Sequence, residues 1–161
     1  MRVLEWLHAD FDLNLVKPTL RGVDPSLNAI PYAPTRIITG GLSVQHPDGY
    51  FGRLGFFHIG DRPASEDRFL TAQGFTRFDA TAVYRQKRFE LTLAVQNIFN
   101  TKWREAQFAT TSRVPADQPG GNCPAGTREG TDENGNFAGC EDVNFTPGNP
   151  VNVQATATIF F

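Results

Sequence analysis

Four polar residues near the start of the chain share the spacing of one strand face. His8, Asp10, Asp12 and Asn14 alternate with apolar residues, so an extended backbone places these four side chains on one side. Carboxylates such as Asp10 and Asp12, about 7 Å apart along a strand, can serve acid–base or glycosidase chemistry. The sequence adds no nucleophile elbow, phosphate-binding glycine loop or zinc motif. A hydrolase on a β-scaffold is therefore the least supported hypothesis, and we predict that the chain is not an enzyme.

Three oxygen-bearing side chains in the second half of the chain have the alternating spacing of a calcium loop. Asp132, Asn134 and Asn136 stand around Gly135, and calcium loops take their ligands from alternate positions. The glutamate that completes such a loop is missing, because position 143 is Val. A solvated turn explains these residues better, and we expect neither a resident metal nor a cofactor.

The balance of charged residues limits the functions open to the chain. The 161 residues include 15 basic and 17 acidic ones, for a formal net charge of -2. This balance argues against a nucleic-acid partner, because phosphate binding needs a basic patch. No stretch approaches the roughly 20 apolar residues of a membrane-spanning helix. The mean hydropathy is slightly negative, but transmembrane strands that alternate apolar and polar residues also average to such a value.

Six segments alternate apolar and polar residues over the length of a strand. The clearest segment, Leu7–Leu15, spans roughly 30 Å at about 3.3 Å per residue. Strands of soluble proteins average about 5–6 residues, whereas transmembrane strands need about 9–11. The predicted strands are Leu7–Leu15, Thr35–Gln45, Tyr50–Gly60, Phe75–Arg85, Phe89–Phe99 (continuing towards Ala109) and Val151–Phe161.

The connections between these strands alternate between long and short. Residues 17–34, 61–74 and 104–150 are long and polar, whereas His46–Gly49 and Gln86–Arg88 are tight turns. Outer-membrane barrels sort their connections in this way, with short periplasmic turns and long extracellular loops. We therefore predict an all-β, antiparallel, up-and-down transmembrane β-barrel segment, in which 104–150 is a long extracellular loop. The residues predicted to face the lumen are His8, Asp10, Asp12 and Asn14.

The second half of the chain carries a pattern similar to that of a known receptor family. Phe78–Ala80 is followed by a strand that leads into Asn97–Trp103, and an aromatic strand comes last. This order resembles the C-terminal end of TonB-dependent outer-membrane receptors, whose penultimate strand carries an Asn-Leu-Phe-Asp-like segment followed by an aromatic residue. Ile98 and Asn100 depart mildly from that segment. The run Asn28–Pro34 resembles the family's lead into an earlier strand.

The resemblance implies an outer-membrane receptor of a Gram-negative bacterium, with a barrel of about 22 strands around a plug domain. It implies energised uptake of a scarce small ligand such as a metal chelate. Its implied partners are outer-membrane lipid, the barrel assembly machinery and, through the plug, the TonB complex. Six strands are far fewer than 22, so we expect residues 1–161 to be a partial, C-terminal portion of such a barrel without its plug.

The resemblance suggests roles for two pairs of residues. Cys123 and Cys140 are the only cysteines and lie in the long loop. An extracytoplasmic loop favours a disulfide between them, and two free thiols in a cytosolic fragment are the alternative. Ile159 and Phe161 resemble the C-terminal signal that the barrel assembly machinery reads, with Ile159 replacing the usual aromatic residue. A receptor strand can bind such a strand by β-augmentation.

Two questions stay open at this stage. A secreted or periplasmic β-sandwich ligand-binding module, stapled by one disulfide, would also contain alternating strands. Recovery of the protein as a soluble monomer without detergent would favour it over the barrel. The second question concerns arginines beside the long loops, which could attract an anionic ligand such as a ferric chelate or pair with nearby carboxylates or lipopolysaccharide phosphates. These arginines are Arg62, Arg68, Arg104 and Arg113.

Overall fold

The computed structural model describes residues 4–113 and 123–161. These residues form three antiparallel sheets and one short 3-10 helix, Pro25–Leu27. Across both described ranges, no helix is long and apolar enough to cross a membrane. The strands are β1 Leu7–Leu15, β2 Arg36–Gln45, β3 Tyr50–Ile59, β4 Arg62–Pro63, β5 Thr71–Ala72, β6 Phe75–Arg85, β7 Phe89–Gln96, β8 Arg104–Ser112, β9 Arg128–Thr131, β10 Phe137–Pro147 and β11 Asn152–Ile159.

The main sheet is an up-and-down meander of six strands. Its order is β1-β2-β3-β6-β7-β11, and each strand is antiparallel to its neighbours. The predicted bounds of β1 and β6 are confirmed, and β2, β3 and β11 differ from prediction by at most two residues at either end. The alternation of apolar and polar residues fixes this register, since a slip of one residue would turn every side chain to the other face.

The register gathers most of the apolar residues of the six strands on one face. Phe11 is 68% exposed, Leu54 46% and Val153 61%, so no other element covers this face in the part of the chain that the structure describes. A soluble β-sandwich would bury such residues between two sheets, and the fold therefore does not favour that alternative. One row that crosses the whole sheet consists of Ala9, Leu42, Leu54, Ala80, Val95 and Val153.

The two predicted tight turns close hairpins at the same end of the sheet. In the first, the Gly49 amide donates to the His46 carbonyl at 3.1 Å, and Gly49 has a φ of 91°. A Cβ at position 49 would lie 2.1 Å from the Arg85 carbonyl oxygen, so glycine is required there for conformation and for space. In the second turn, the Gln86 amide donates to the Phe89 carbonyl at 2.8 Å. All three long connections consequently leave from the opposite end.

Two sequence predictions about the last long connection are wrong. β7 ends at Gln96 rather than continuing towards Ala109, and much of the segment predicted as loop forms a sheet in the order β8-β10-β9. β-branched and aromatic residues in β8 and β10 suit paired strands, and a turn at 132–136 joins β9 to β10. Local composition hid these strands, because turn-forming residues are frequent in this segment and β8 is stabilised by pairing with residues of β10, which are distant along the chain. Residues 114–122 of this connection lie outside the described residues.

Candidate functional site: the loop cap and the polar sheet face

The three long connections pack together into one unit, which we call the loop cap: residues 16–35, 60–74, 97–113 and 123–151. Its buried cluster brings Ala64, Leu70 and Ala72 of the second connection against Val143 of the third, with Tyr32 of the first packed beside them. The Tyr32 amide donates to the Pro63 carbonyl at 2.7 Å. The loop cap therefore has a small apolar core of its own, and this core holds the three connections together.

Arg128 is the main electrostatic link within the loop cap. Its guanidinium donates to Asp67 in the second connection and to Glu141 on β10, and lies 5.1 Å from the Phe69 ring centroid. The Ser65 hydroxyl, then Arg128, then the Phe69 amide lower the pKa of Asp67 to about 2. The two carboxylates also raise the pKa of Arg128. This network joins two loops that the sequence places about sixty positions apart.

Asn97 directs the chain out of the main sheet at the end of β7. It is 1% exposed and has a φ of 53°, a left-handed conformation that asparagine tolerates better than most residues. Its side-chain amide donates to the Thr101 and Asn149 carbonyls at 2.9 and 3.1 Å, and its side-chain carbonyl accepts from the Thr101 amide. The Asn97 amide donates to the Asp79 carboxylate. The motif behind the family resemblance thus contains a turn that is anchored by one buried asparagine.

A pocket of about 540 Å³ lies where the loop cap meets the main sheet. Trp103 packs on Phe75 with ring centroids 4.8 Å apart, and Phe75 belongs to the polar face of β6, so the pocket borders that face. The Arg104 guanidinium lies 4.0 Å from the Phe145 ring centroid, and Lys102 adds a second cation to the lining. Aromatic surface and two cations together can hold a flat anionic molecule.

The polar face of the main sheet carries the residues predicted to face a lumen. Arg53 donates to Asp10 with bonds of 2.7 and 2.9 Å and to Ser43 at 3.0 Å, and so bridges three strands. The register puts His8, Asp12 and Asn14 on the same face as Asp10. Because the Asp10 carboxylate is held in a bidentate ion pair, it is poorly placed as an acid–base partner for Asp12.

The calcium-like triplet forms the turn between β9 and β10. The Asp132 carboxylate accepts from the Asn134 and Asn136 amides at 2.8 Å each, and from the Asn136 side chain. These bonds, first those from Asn136, lower the pKa of Asp132. In the described ranges no cluster of three or more metal-ligating side chains is present. The solvated-turn interpretation therefore accounts for Asp132, Asn134 and Asn136.

The structure joins Cys123 to Cys140 in a disulfide, with the two Cα atoms 5.6 Å apart. Cys140 is buried in β10, where it pairs with Ser112 of β8 and Glu129 of β9. The bond therefore ties the segment that precedes β9 to the central strand of the β8-β10-β9 sheet.

The residues suggested as an assembly signal lie at the short-turn end. Ile159 closes β11 opposite Phe89 and is 65% exposed. The Phe160 amide donates to the Arg88 carbonyl at 2.9 Å, and Phe161 extends past the strand with its side chain exposed.

The four arginines beside the long loops have different surroundings. Arg68 donates to Asn28, and the guanidinium of Arg113 lies 5.5 Å from the Phe137 ring centroid. Arg104 lines the pocket described above. Among the atoms that the structure describes, Arg62 Nη1 is buried without a hydrogen-bond partner.

These features define one wall of an up-and-down β-barrel, with an uncovered apolar face, a polar face and a cap at one end. No family model and no curated protein matches the sequence. The ferric-catecholate import receptor Fiu of E. coli K12, in its closed form, matches with a TM-score of 0.64 at 18% identity, over 99% of this chain and 19% of its own. The ferric yersiniabactin uptake receptor FyuA of Yersinia pestis matches at 0.63 and 15%, over 99% and 22%.

Both of these solved structures are described as receptors, one for ferric-catecholate import and the other for ferric yersiniabactin uptake. The chain spans about a fifth of the length of each. At these identities the likeness shows the fold, and the prediction of an antiparallel all-β barrel wall is confirmed.

Sequence reasoning missed three residues that hold the site together. Arg128 and Gln107 sit in a segment predicted as loop or strand continuation, and their partners lie in other connections. Asn97 belongs to the sequence motif, but the motif does not predict its left-handed backbone conformation. Phe108 beside Gln107 and Thr127 beside Arg128 favour strands, which is the one available signal, and it identifies no partner.

Proposed function

We propose that the chain forms part of the barrel wall of a TonB-dependent outer-membrane receptor, which takes up a scarce ligand such as a metal chelate. The observation that carries this proposal is the six-stranded sheet with one uncovered apolar face and one polar face. Exposure of a continuous apolar face to water is unfavourable, whereas lipid solvates it. The polar face, with its Arg53–Asp10 bridge, suits a hydrated lumen.

Aromatic clusters at both ends of the apolar face support a membrane location. Phe78 and Tyr84 are six positions apart on β6, about 20 Å at roughly 3.3 Å per residue. This separation is close to the apolar band of about 25 Å between the aromatic girdles of outer-membrane barrels. The clusters are Phe56, Phe78 and Phe99 at the cap end, and Tyr50, Tyr84 and Phe89 at the short-turn end.

A closed barrel requires further strands beside β1 and β11, the two edge strands of the main sheet. Within the described ranges β1 pairs only with β2, and β11 only with β7. Lipid offers no hydrogen-bond partners to a free strand edge. We therefore infer that other strands complete a closed barrel of about 22 strands around a plug. The TonB complex would act through that plug, and Ile159 and Phe161 would serve as the assembly signal.

The pocket of Lys102, Trp103, Arg104 and Phe145 is the proposed ligand contact of this wall. It borders the polar face and carries two cations beside aromatic rings. These groups favour an anionic, partly aromatic chelate over a neutral sugar or peptide. The two similar receptors are described as importing ferric-catecholate and ferric yersiniabactin. We propose the same class of ligand, an iron chelate, for this chain.

Fractionation of bacteria that make the protein tests the membrane location. We expect the chain in outer membranes after a wash with alkaline carbonate, which releases peripheral proteins but not integral ones. Extraction should require detergent. A chain that appears in the carbonate supernatant as a soluble monomer would overturn the barrel proposal in favour of the secreted or periplasmic binding module.

A further inference from the structure

The apolar face carries a groove of about 520 Å³ near the short-turn end. Its floor contains the small side chains Ala82, Ala155 and Ala157. The register pairs Ala82 with Leu93 and Leu93 with Ala155, so the groove crosses β6, β7 and β11. The bulky residues at its sides are Tyr50, Tyr84, Leu91 and Leu93.

The groove is also open towards β3. Gly52 pairs with Ala82 on the same face, and a Cβ at position 52 would meet no atom within 4 Å. Tyr50 stacks on Tyr84 with ring centroids 4.6 Å apart, which sets a firm boundary on the side of the short turns. The groove is thus an open, apolar depression bounded by the two tyrosine rings.

A cationic turn lies directly beyond this groove. Arg85 is engaged by Glu90 in an ion pair, but Lys87 and Arg88 are exposed, and neither has an anionic partner within the part of the chain that the structure describes. The Phe160 amide donates to the Arg88 carbonyl, so the turn is held against the end of β11. From Ala82 to the turn at Arg85 the distance is about 10 Å along the strand.

The nearby acidic groups leave these two cations available. Glu90 is paired with Arg85, and the Asp48 carboxylate in the neighbouring turn lies 3.4 Å from His46 Nδ1. Lys87 and Arg88 therefore present positive charge at the same end of the sheet as the groove. A phospholipid has the complementary arrangement, with a negative phosphate joined to hydrocarbon chains.

We propose that this end of the wall binds an anionic phospholipid, with an acyl chain in the groove and the headgroup phosphate on Lys87 and Arg88. The inference rests on the proposed membrane location, because it is the membrane that brings lipid to this face. Charge complementarity selects an anionic headgroup over a zwitterionic one. On the proposed orientation, the site faces the periplasmic leaflet.

Native mass spectrometry of the protein purified from outer membranes in mild detergent tests this site. The probes are added phosphatidylglycerol and phosphatidylcholine with identical acyl chains, and the measurement is their relative retention. We expect selective retention of phosphatidylglycerol. Its selectivity should fall about fivefold for each cation removed in Lys87→Gln and Arg88→Gln. Gly52→Leu, which places a side chain beside the groove, should reduce retention of both lipids.

A matched pair of substitutions controls for total charge. Lys17→Gln and Arg21→Gln remove two exposed cations from the cap end, and selectivity should be unchanged. An equal loss of selectivity in this control would overturn the site. So would selectivity that persists without Lys87 and Arg88, or full retention of both lipids by Gly52→Leu. An integral protein that lacks selectivity refutes only the lipid site, whereas release by carbonate refutes the barrel proposal and the lipid site with it.

Discussion

Gln73 and Gln107 are joined by two reciprocal hydrogen bonds of 2.8 Å each. The Gln73 amide donates to the Gln107 side-chain carbonyl, and the Gln107 side-chain amide donates to the Gln73 carbonyl. The buried Gln107 side chain therefore supplies a donor and an acceptor to the backbone of another connection, as a neighbouring strand would. This pair links the second and third parts of the loop cap.

Gln107→Leu should loosen this link, because it leaves the backbone amide and carbonyl of Gln73 without their partner, the buried Gln107 side chain. The loss of these two hydrogen bonds costs about 1–3 kcal/mol, which predicts about 5- to 150-fold faster hydrogen exchange at the Gln73 amide. Gln107→Glu keeps an acceptor but loses the donor, so Gln73 should stay better protected than in the leucine variant. Exchange unchanged in both variants would refute the role of this pair.

Asn97→Gly should preserve the backbone turn but remove its side-chain bonds. Glycine adopts a φ of 53° readily, so any loss of stability in this variant reports on the missing Asn97 side chain. We expect destabilisation of the junction by about 2–3 kcal/mol, since the Thr101 and Asn149 carbonyls lose the donor that the buried Asn97 side chain supplies. Limited proteolysis between residues 97 and 104 should accelerate accordingly. Asn97→Ala should be worse still, because alanine disfavours that conformation.

Acid should weaken the loop cap through Asp67. Its pKa is lowered to about 2 in the folded protein, from an ordinary value of 3.8. A depressed pKa stabilises the folded state fully above the unfolded value, and this contribution disappears as pH falls through the folded value. We expect proteolytic or exchange protection of the cap to decrease between about pH 4 and pH 2. Asp67→Asn should be less protected at neutral pH and lack this decrease.

The disulfide should stabilise the loop cap without being needed by the main sheet. A crosslink that closes a loop of this length contributes roughly 3 kcal/mol. Reduction, or replacement of Cys123 and Cys140 by serine, should therefore increase protease cleavage in the cap while leaving strand protection in the main sheet unchanged. Loss of the main sheet on reduction would contradict the independence of these two parts.

Ligand binding should depend on the cations of the proposed pocket. Lys102→Gln with Arg104→Gln should weaken binding of an anionic ferric chelate, such as ferric enterobactin used as a probe, by at least tenfold. The matched control, Lys87→Gln with Arg88→Gln, removes two cations from the opposite end and should leave binding unchanged. Equal weakening in both pairs would mean that total charge, not the pocket, attracts the chelate.

The sheet could be predicted from the sequence, whereas most of the loop cap could not. The strict alternation in Leu7–Leu15 determines both the strand and its two faces, because side chains in a strand point alternately to opposite sides. Arg128 and Gln107 act through partners in other connections, and no local pattern encodes such pairs. Asn97 is an intermediate case. Its place in a motif can be read from the sequence, but its burial and its left-handed backbone conformation cannot.

The most direct test of the account uses two adjacent positions on β11. Val153 lies on the apolar face and Gln154 on the polar face, and both side chains are exposed in the isolated sheet. No described cysteine is free, so Val153→Cys and Gln154→Cys each introduce one reactive thiol. In outer membranes, a membrane-impermeant maleimide should label Gln154→Cys while Val153→Cys stays protected until detergent is added. Equal labelling at both positions before detergent would contradict a membrane-facing wall.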